Sequence, residues 1–281
     1  GIVTSSTLTA TGNITLASDE FDFGGGANSI IGTGTLTLKQ ATAGATVGIG
    51  SSAGQTIDLT DADITAIKDG FSSITIGDGA SGNVVVDGAA FADPVNIVSG
   101  AALTVQTAAL STSEGAINLT ANGALAIDHS VDATTTVTIT GDADNSGGED
   151  ITINAGDNGS TTISGTTVTI TTNGTATDVI HTDNFNNAEG GITYNDALAT
   201  LIFNTNGGID AEGAVNTGDN AITLNAATTF DSDQADNDGT NNITIGGAIA
   251  FGTSALSLDA GTGTVFLKES STGGAGGKFV I

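Results

Sequence analysis

A short triplet recurs along the whole chain: two branched or aromatic apolar residues flank one residue that is usually small and polar, and Gly, Asn, Asp or Thr follows. Its copies are Ile14-Thr15-Leu16, Phe21-Asp22-Phe23, Leu36-Thr37-Leu38, Ile57-Asp58-Leu59, Ile74-Thr75-Ile76, Val84-Val85-Val86, Ile117-Asn118-Leu119, Val137-Thr138-Ile139, Ile151-Thr152-Ile153, Val168-Thr169-Ile170, Leu201-Ile202-Phe203, Ile222-Thr223-Leu224, Ile243-Thr244-Ile245 and Leu256-Ser257-Leu258. A period of two is the signature of a strand, and strands this short and this numerous predict a coil wound many times. One such unit buries two or three apolar side chains, too few to offset the entropy of ordering its own residues. It is stable only when stacked on copies of itself. The expected fold is all-β: a right-handed parallel β-solenoid forming one continuous rod over residues 1–281.

Composition narrows the classes of function. The net charge is -27, Lys39, Lys68, Lys268 and Lys278 are the only basic residues, and Arg is absent. Such a surface repels nucleic acid and anionic lipid. A strongly acidic chain with 42 glycines would ordinarily read as disordered, but 38% apolar content in strict alternation is the pattern of a folded protein. Cys is absent, which leaves the redox compartment open. Met is absent too, even at position 1, so the chain reads as a piece of a longer precursor. No basic segment followed by an apolar one opens it, and no apolar run approaches the ~20 residues of a membrane span.

No linker divides the sequence. Pro94 is the only proline, and the glycine clusters fall between triplets, where turns belong. Triplets spaced by roughly 8 to 12 residues, with two or three strands per coil, imply coils of ~20 to 30 residues. At ~4.8 Å per rung, ten to thirteen coils give a rod on the order of 50 to 60 Å long. Residues Thr60 to Ser72 depart from the pattern. Asp61 can cap, Ile64 and Ile67 stand three apart and Gly70 can stop a turn, which fits a short helical excursion or a bent strand.

Between Asn13 and Ile97 the repeat sharpens. The segments NITLASDEFDFGGGANSIIGTGTLTLKQATAG, DLTDADITAIKDGFSSITIGD and AFADPVNI resemble the strand repeats of filamentous haemagglutinin-like, adhesin-like bacterial exoproteins. The most specific part is Asp69 to Gly77 followed by Phe91 to Val95; the rest of the chain is similar only in style. The resemblance implies a secreted or surface-displayed β-helix and brings no catalytic residues with it.

Parallel β-helices also carry polysaccharide lyases and hydrolases, so catalysis needs its own test. Lyases of that kind use Arg or Lys beside calcium-bound carboxylates, and Arg is missing here. Of the two histidines, His129 stands in Asp128-His129-Ser130. Neighbours on a strand point to opposite faces, so these three cannot form a relay. His129 and His181 are expected at the surface or in turns, and no enzymatic activity is expected.

Two Asp-rich loops raise the question of a metal. Asp142 to Asp150, with Asp142, Asp144, Glu149 and Asp150, and Asp231 to Gly239, with Asp231, Asp233, Asp236 and Asp238, alternate carboxylate and amide oxygens around Gly as a hard cation such as calcium prefers. Asp, Asn and Gly are also the residues that make tight turns, and the loops read first as plain solenoid corners, with calcium the alternative.

The two ends of the chain point to assembly. Gly1-Ile2-Val3 enters a strand at once, and Phe279-Val280-Ile281 follows a Gly-rich hinge at residues 273–277. Exposed strand edges at both ends allow head-to-tail stacking, a contact that does not close and therefore builds fibres. Ile2, Val3, Phe279, Val280 and Ile281 are the expected assembly residues. The sequence thus leads to an extracellular structural element, a filament subunit or an adhesin stalk. A module that binds glycans or a host surface is the alternative, and a lyase or hydrolase the more distant one.

Overall fold

A computed structural model describes residues 1–51, 54–146, 149–153, 161–172, 179–182, 185–187, 191–194, 200–203, 208–233, 241–268 and 278–280. Every triplet falls on a strand, Phe23 alone lying one residue past the end of its own. The strands form three long parallel sheets of eleven, ten and nine strands, with two two-stranded pieces built from the N-terminal segments. Each long sheet takes, with few exceptions, every third strand in chain order, so three strands make one turn. The architecture is all-β and consistent with a β-solenoid.

Register is kept by hydrophobic stacking. In the eleven-stranded sheet Val95 lies opposite Ile117, Ile117 opposite Val137 and Val137 opposite Val168, so equivalent residues recur after 20 to 31 positions. Alternation sends Val95 and Ile97, Ile117 and Leu119, and Val137 and Ile139 inward, all fully buried, while Asn96, Asn118 and Thr138 between them stay half-exposed. Slipping by one residue would turn every inward column outward, and burying each Ile, Leu or Val contributes about 1.5 to 3 kcal/mol. The buried apolar residues from Ile14 to Ala260 make one contiguous cluster. Tyr194, the only phenol, is part of that core, as are Phe203 and Phe230, whose rings lie 5.1 Å apart.

Corners are closed by small polar residues turned inward to the backbone. The Ser99 hydroxyl accepts the Ala101 N–H and lies 2.9 Å from the Ala102 carbonyl. That of Thr112 donates to the Asp93 carbonyl at 2.9 Å. Each thereby adds a side-chain hydrogen bond to backbone groups at its corner.

The regular stack is interrupted near the N-terminal end. Strands Val47–Gly50 and Ile57–Leu59 pair in parallel with Val47 opposite Ile57, an offset of ten residues. Parallel neighbours usually need a crossover of a dozen residues or more. The chain manages the short return partly through Gly50, whose φ of +86° is left-handed. A Cβ there would sit 1.8 Å from the Gly88 carbonyl oxygen. The second strand of the pair ends in the single helix among the described residues, Asp61–Ala66. Its cap is Thr60 rather than Asp61: the Thr60 side chain accepts the Asp63 N–H while Asp63 accepts the Thr60 N–H and hydroxyl, a reciprocal capping box. Ile67 closes the helix and bridges Ile30, returning the chain to the stack.

Candidate functional site

The two segments that carry the exoprotein resemblance touch. Gly70, in the first, donates its N–H to Asp93 Oδ1, in the second, at 2.9 Å. Their aromatic residues Phe71 and Phe91 are both buried. Asp93 is buried as well, and burial pushes its carboxyl above the usual aspartate range, with Asp69 and Glu114 adding like charge against the pull of the Gly70 and Phe71 N–H groups. The motif is therefore a staple between successive turns. A group whose folded pKa is raised stabilises the fold fully below its unfolded pKa and loses that contribution as pH rises through the folded value. Asp93→Asn keeps the acceptor for Gly70 and removes the buried charge. We expect the variant to melt at or above the parent's temperature at neutral pH, with the parent gaining on it as pH falls towards 4. Parallel melting curves against pH would contradict this.

A cleft of about 600 Å³ lies between strand Phe21–Asp22 and the helix, lined by Glu20, Asp22, Phe23, Asp61 and Asp63 among others. Its carboxylates differ in burial. Asp63, the buried one, is already committed, with Oδ1 accepting the Phe23 N–H at 2.8 Å and Oδ2 bound by Thr60. Asp22 and Asp61 are open to water. Sequence patterning did not single out Asp63 or Asp93, since one stands in a helix start and the other before the only proline; the Thr60/Asp63 spacing and the Asp-Pro pair were the available signals.

The Asp-rich loops are placed in part. In the first, Ser146 N–H is shared by Asp142 Oδ1 at 3.1 Å and Asp144 Oδ1 at 3.2 Å, closing a turn in which Asp142 and Asn145 both have positive φ. Asp142 is fully buried, and its Oδ2 has no hydrogen-bond partner; nor has the buried Oε2 of Glu149. In the second loop Asp231 Oδ1 accepts the Asp233 N–H at 2.9 Å, the geometry of an ordinary Asx turn. Asp236 and Asp238 lie outside the described residues. Among the described residues no three His, Cys, Asp or Glu side chains come together as a metal site would require. His129 follows strand Leu125–Ile127, and its Nδ1 accepts the Ser130 N–H at 3.0 Å. His181 stands in strand Val179–Thr182, opposite Thr152 and Ile202.

The residues expected to mediate assembly lie at the ends of the stack. Strand Ile2–Val3 pairs with Phe21–Asp22. Strand Lys278–Val280 pairs with Ala255–Asp259 of its own chain as the last strand of the nine-stranded sheet, with Phe279 opposite Leu256. It is thus held within the chain rather than left unpaired, and what it offers a neighbour is its outer edge; Ile281 lies outside the described residues. Among the described residues the large apolar side chains left exposed are Val3 at 66%, Phe266 at 48% and Leu267 at 42%. Phe266 and Leu267 belong to Val265–Leu267, the final strand of the eleven-stranded sheet. Exposed apolar surface is therefore concentrated on the first and last rungs, and Phe266 and Leu267 were not anticipated because no triplet marks them. No helix among the described residues is long and apolar enough to cross a membrane. Comparison of the chain with protein-family models, with curated proteins and with solved structures finds no match.

Proposed function

We propose that this chain is an extracellular, right-handed parallel β-solenoid of the adhesin-like kind, a structural rod without enzymatic activity that serves as a filament subunit or stalk and joins its neighbours end to end. The observation that carries the reading is the placement of Val3, Phe266 and Leu267 on the outermost rungs, beside strand edges that lack a partner among the described residues. No other large apolar side chain among the described residues is exposed to this degree. A neighbouring copy that continues the stack covers Leu267, whose inward column ends at this rung, and completes the parallel ladder in the way that added strands extend a sheet edge, while the outward-facing Val3 and Phe266 border the junction.

The expected consequence is concentration-dependent growth in length. Deleting residues 278–281 removes the last strand of the nine-stranded sheet, and light scattering should show shortened or absent fibres while circular dichroism remains that of a β protein. Undiminished growth after the deletion would exclude this edge from the junction.

Calcium belongs to the same reading at the first Asp-rich loop. Asp142 Oδ2 and Glu149 Oε2 are buried oxygens without hydrogen-bond partners, the kind of ligand a hard cation takes. If they hold calcium, chelator lowers the melting temperature, and added calcium restores it in proportion to RT ln(1 + [L]/Kd). An unchanged melting temperature would leave both Asp-rich loops as turns.

A further inference from the structure

The charge of this protein is unevenly distributed over its three long sheets. The nine-stranded sheet carries Asp132, Asp210, Asp231 and Asp259 on its strands, and the ten-stranded sheet carries Asp58 and Asp87. The eleven strands of the largest sheet hold no carboxylate, and their one charged residue, Lys39, is paired with Asp78 at 3.3 Å. In a chain of net charge -27 this is a whole face without negative charge.

The same face is periodic. Down its middle, one residue on each of the first ten rungs, run Thr15, Thr37, Thr75, Asn96, Asn118, Thr138, Thr169, Thr193, Asn216 and Thr244, each opposite the next, and Phe266 ends the row on the eleventh. Thr15 is exposed and the others are half-buried. Neighbours in the row are already linked in places, Asn118 Nδ2 donating to Asn96 Oδ1 at 2.7 Å. β-branched Thr has little rotamer freedom to lose on contact, and a row at ~4.8 Å spacing matches an identical row at every rung.

We infer that this face is an interface between two copies of the chain, packed side by side with the Thr and Asn rows interdigitated about a twofold axis. Two molecules of this charge repel each other across faces that carry carboxylates, and of the three long sheets this is the one whose strands carry none. The area suffices: eleven rungs by about 13 Å of strand is roughly 700 Å² on each copy, about 1,400 Å² in the pair, within the range of specific interfaces. Pairing of this kind thickens a rod without lengthening it, so it is independent of the end-to-end junction and can be scored separately.

Small-angle X-ray scattering of the full chain gives both quantities, mass per unit length for side-by-side pairing and overall length for end-to-end growth. Raising the salt to about 1 M, where the screening length falls to about 3 Å, should double the mass per unit length as the residual repulsion is removed. Thr138→Asp, on the face, should stay single under the same conditions, while Ser111→Asp, on the outward side of the nine-stranded sheet, should pair like the parent; circular dichroism checks that both are folded. A parent whose mass per unit length never changes with salt or concentration overturns the inference, even if rods lengthen. Equal loss of pairing in the two variants overturns it as well, because the contact would then not lie on this face.

Discussion

Replacing Ile153 with Asp is expected to lower the melting temperature sharply, whereas Thr152→Asp, one residue away, should change it little. Ile153 is fully buried and stacked on Ile127, so an aspartate there is an uncompensated charge in an apolar column, at a cost of several kcal/mol. Thr152 points outward on the same strand and is half-exposed. Its aspartate would stay in water, where surface substitutions usually fall within about 0.5 kcal/mol. In a stack stabilised by nearest-neighbour contacts, a broken rung also loosens the rungs on either side. Hydrogen exchange should therefore rise first in strands Leu125–Ile127 and Val179–Thr182, which pair with Ile151–Ile153. Similar melting of the two variants would mean that the alternation of this strand is misplaced. Ile139→Asp, in the neighbouring column, should behave like Ile153→Asp.

Gly50→Ala should be nearly as damaging as a core charge, and Gly44→Ala much less so. Both glycines have a left-handed φ, +86° and +79°, so each substitution carries about 1 kcal/mol of backbone strain. The Cβ at residue 44 meets nothing within 4 Å, but the one at residue 50 would stand 1.8 Å from a backbone oxygen of Gly88. That oxygen is anchored in the next turn and cannot move without opening the rung. The difference between the two thermal melts isolates the contact from the strain. If the two alanine variants melt together, the tight return between Val47–Gly50 and Ile57–Leu59 is not as close as described.

Strand positions were legible in the sequence because the signal is local: an apolar pair at i and i+2 around an outward residue is both the motif and the structure. The nine-stranded sheet was harder to read for the same reason. Leu110–Thr112 and Val131–Asp132 place one large apolar residue inward and leave the other inward position to Thr112 or Ala133, so no triplet forms. Only with that sheet counted does each turn contain three strands. The return of the chain at Gly50 was hidden too, since it depends on contact with Gly88, 38 residues away. The helix was foreseen as one of two outcomes, with its cap one residue late, because Thr60 and Asp61 are both good caps and only the reciprocal bond to Asp63 decides between them. Of the exposed apolar residues at the ends, Val3 was legible as a terminal apolar strand residue, whereas Phe266 is exposed because it faces outward opposite Thr244, and Leu267 because the inward column of Ile245 ends at this rung.

The direction in which strands stack relative to the fibre tests the end-to-end account most directly. Fibres of this protein, aligned and exposed to X-rays, should give the reflection of hydrogen-bonded strands, at about 4.8 Å, along the fibre axis, because rods joined end to end keep every strand perpendicular to that axis. The same reflection at right angles to the fibre axis, or a protein that stays as isolated rods at every concentration with and without calcium, would contradict it.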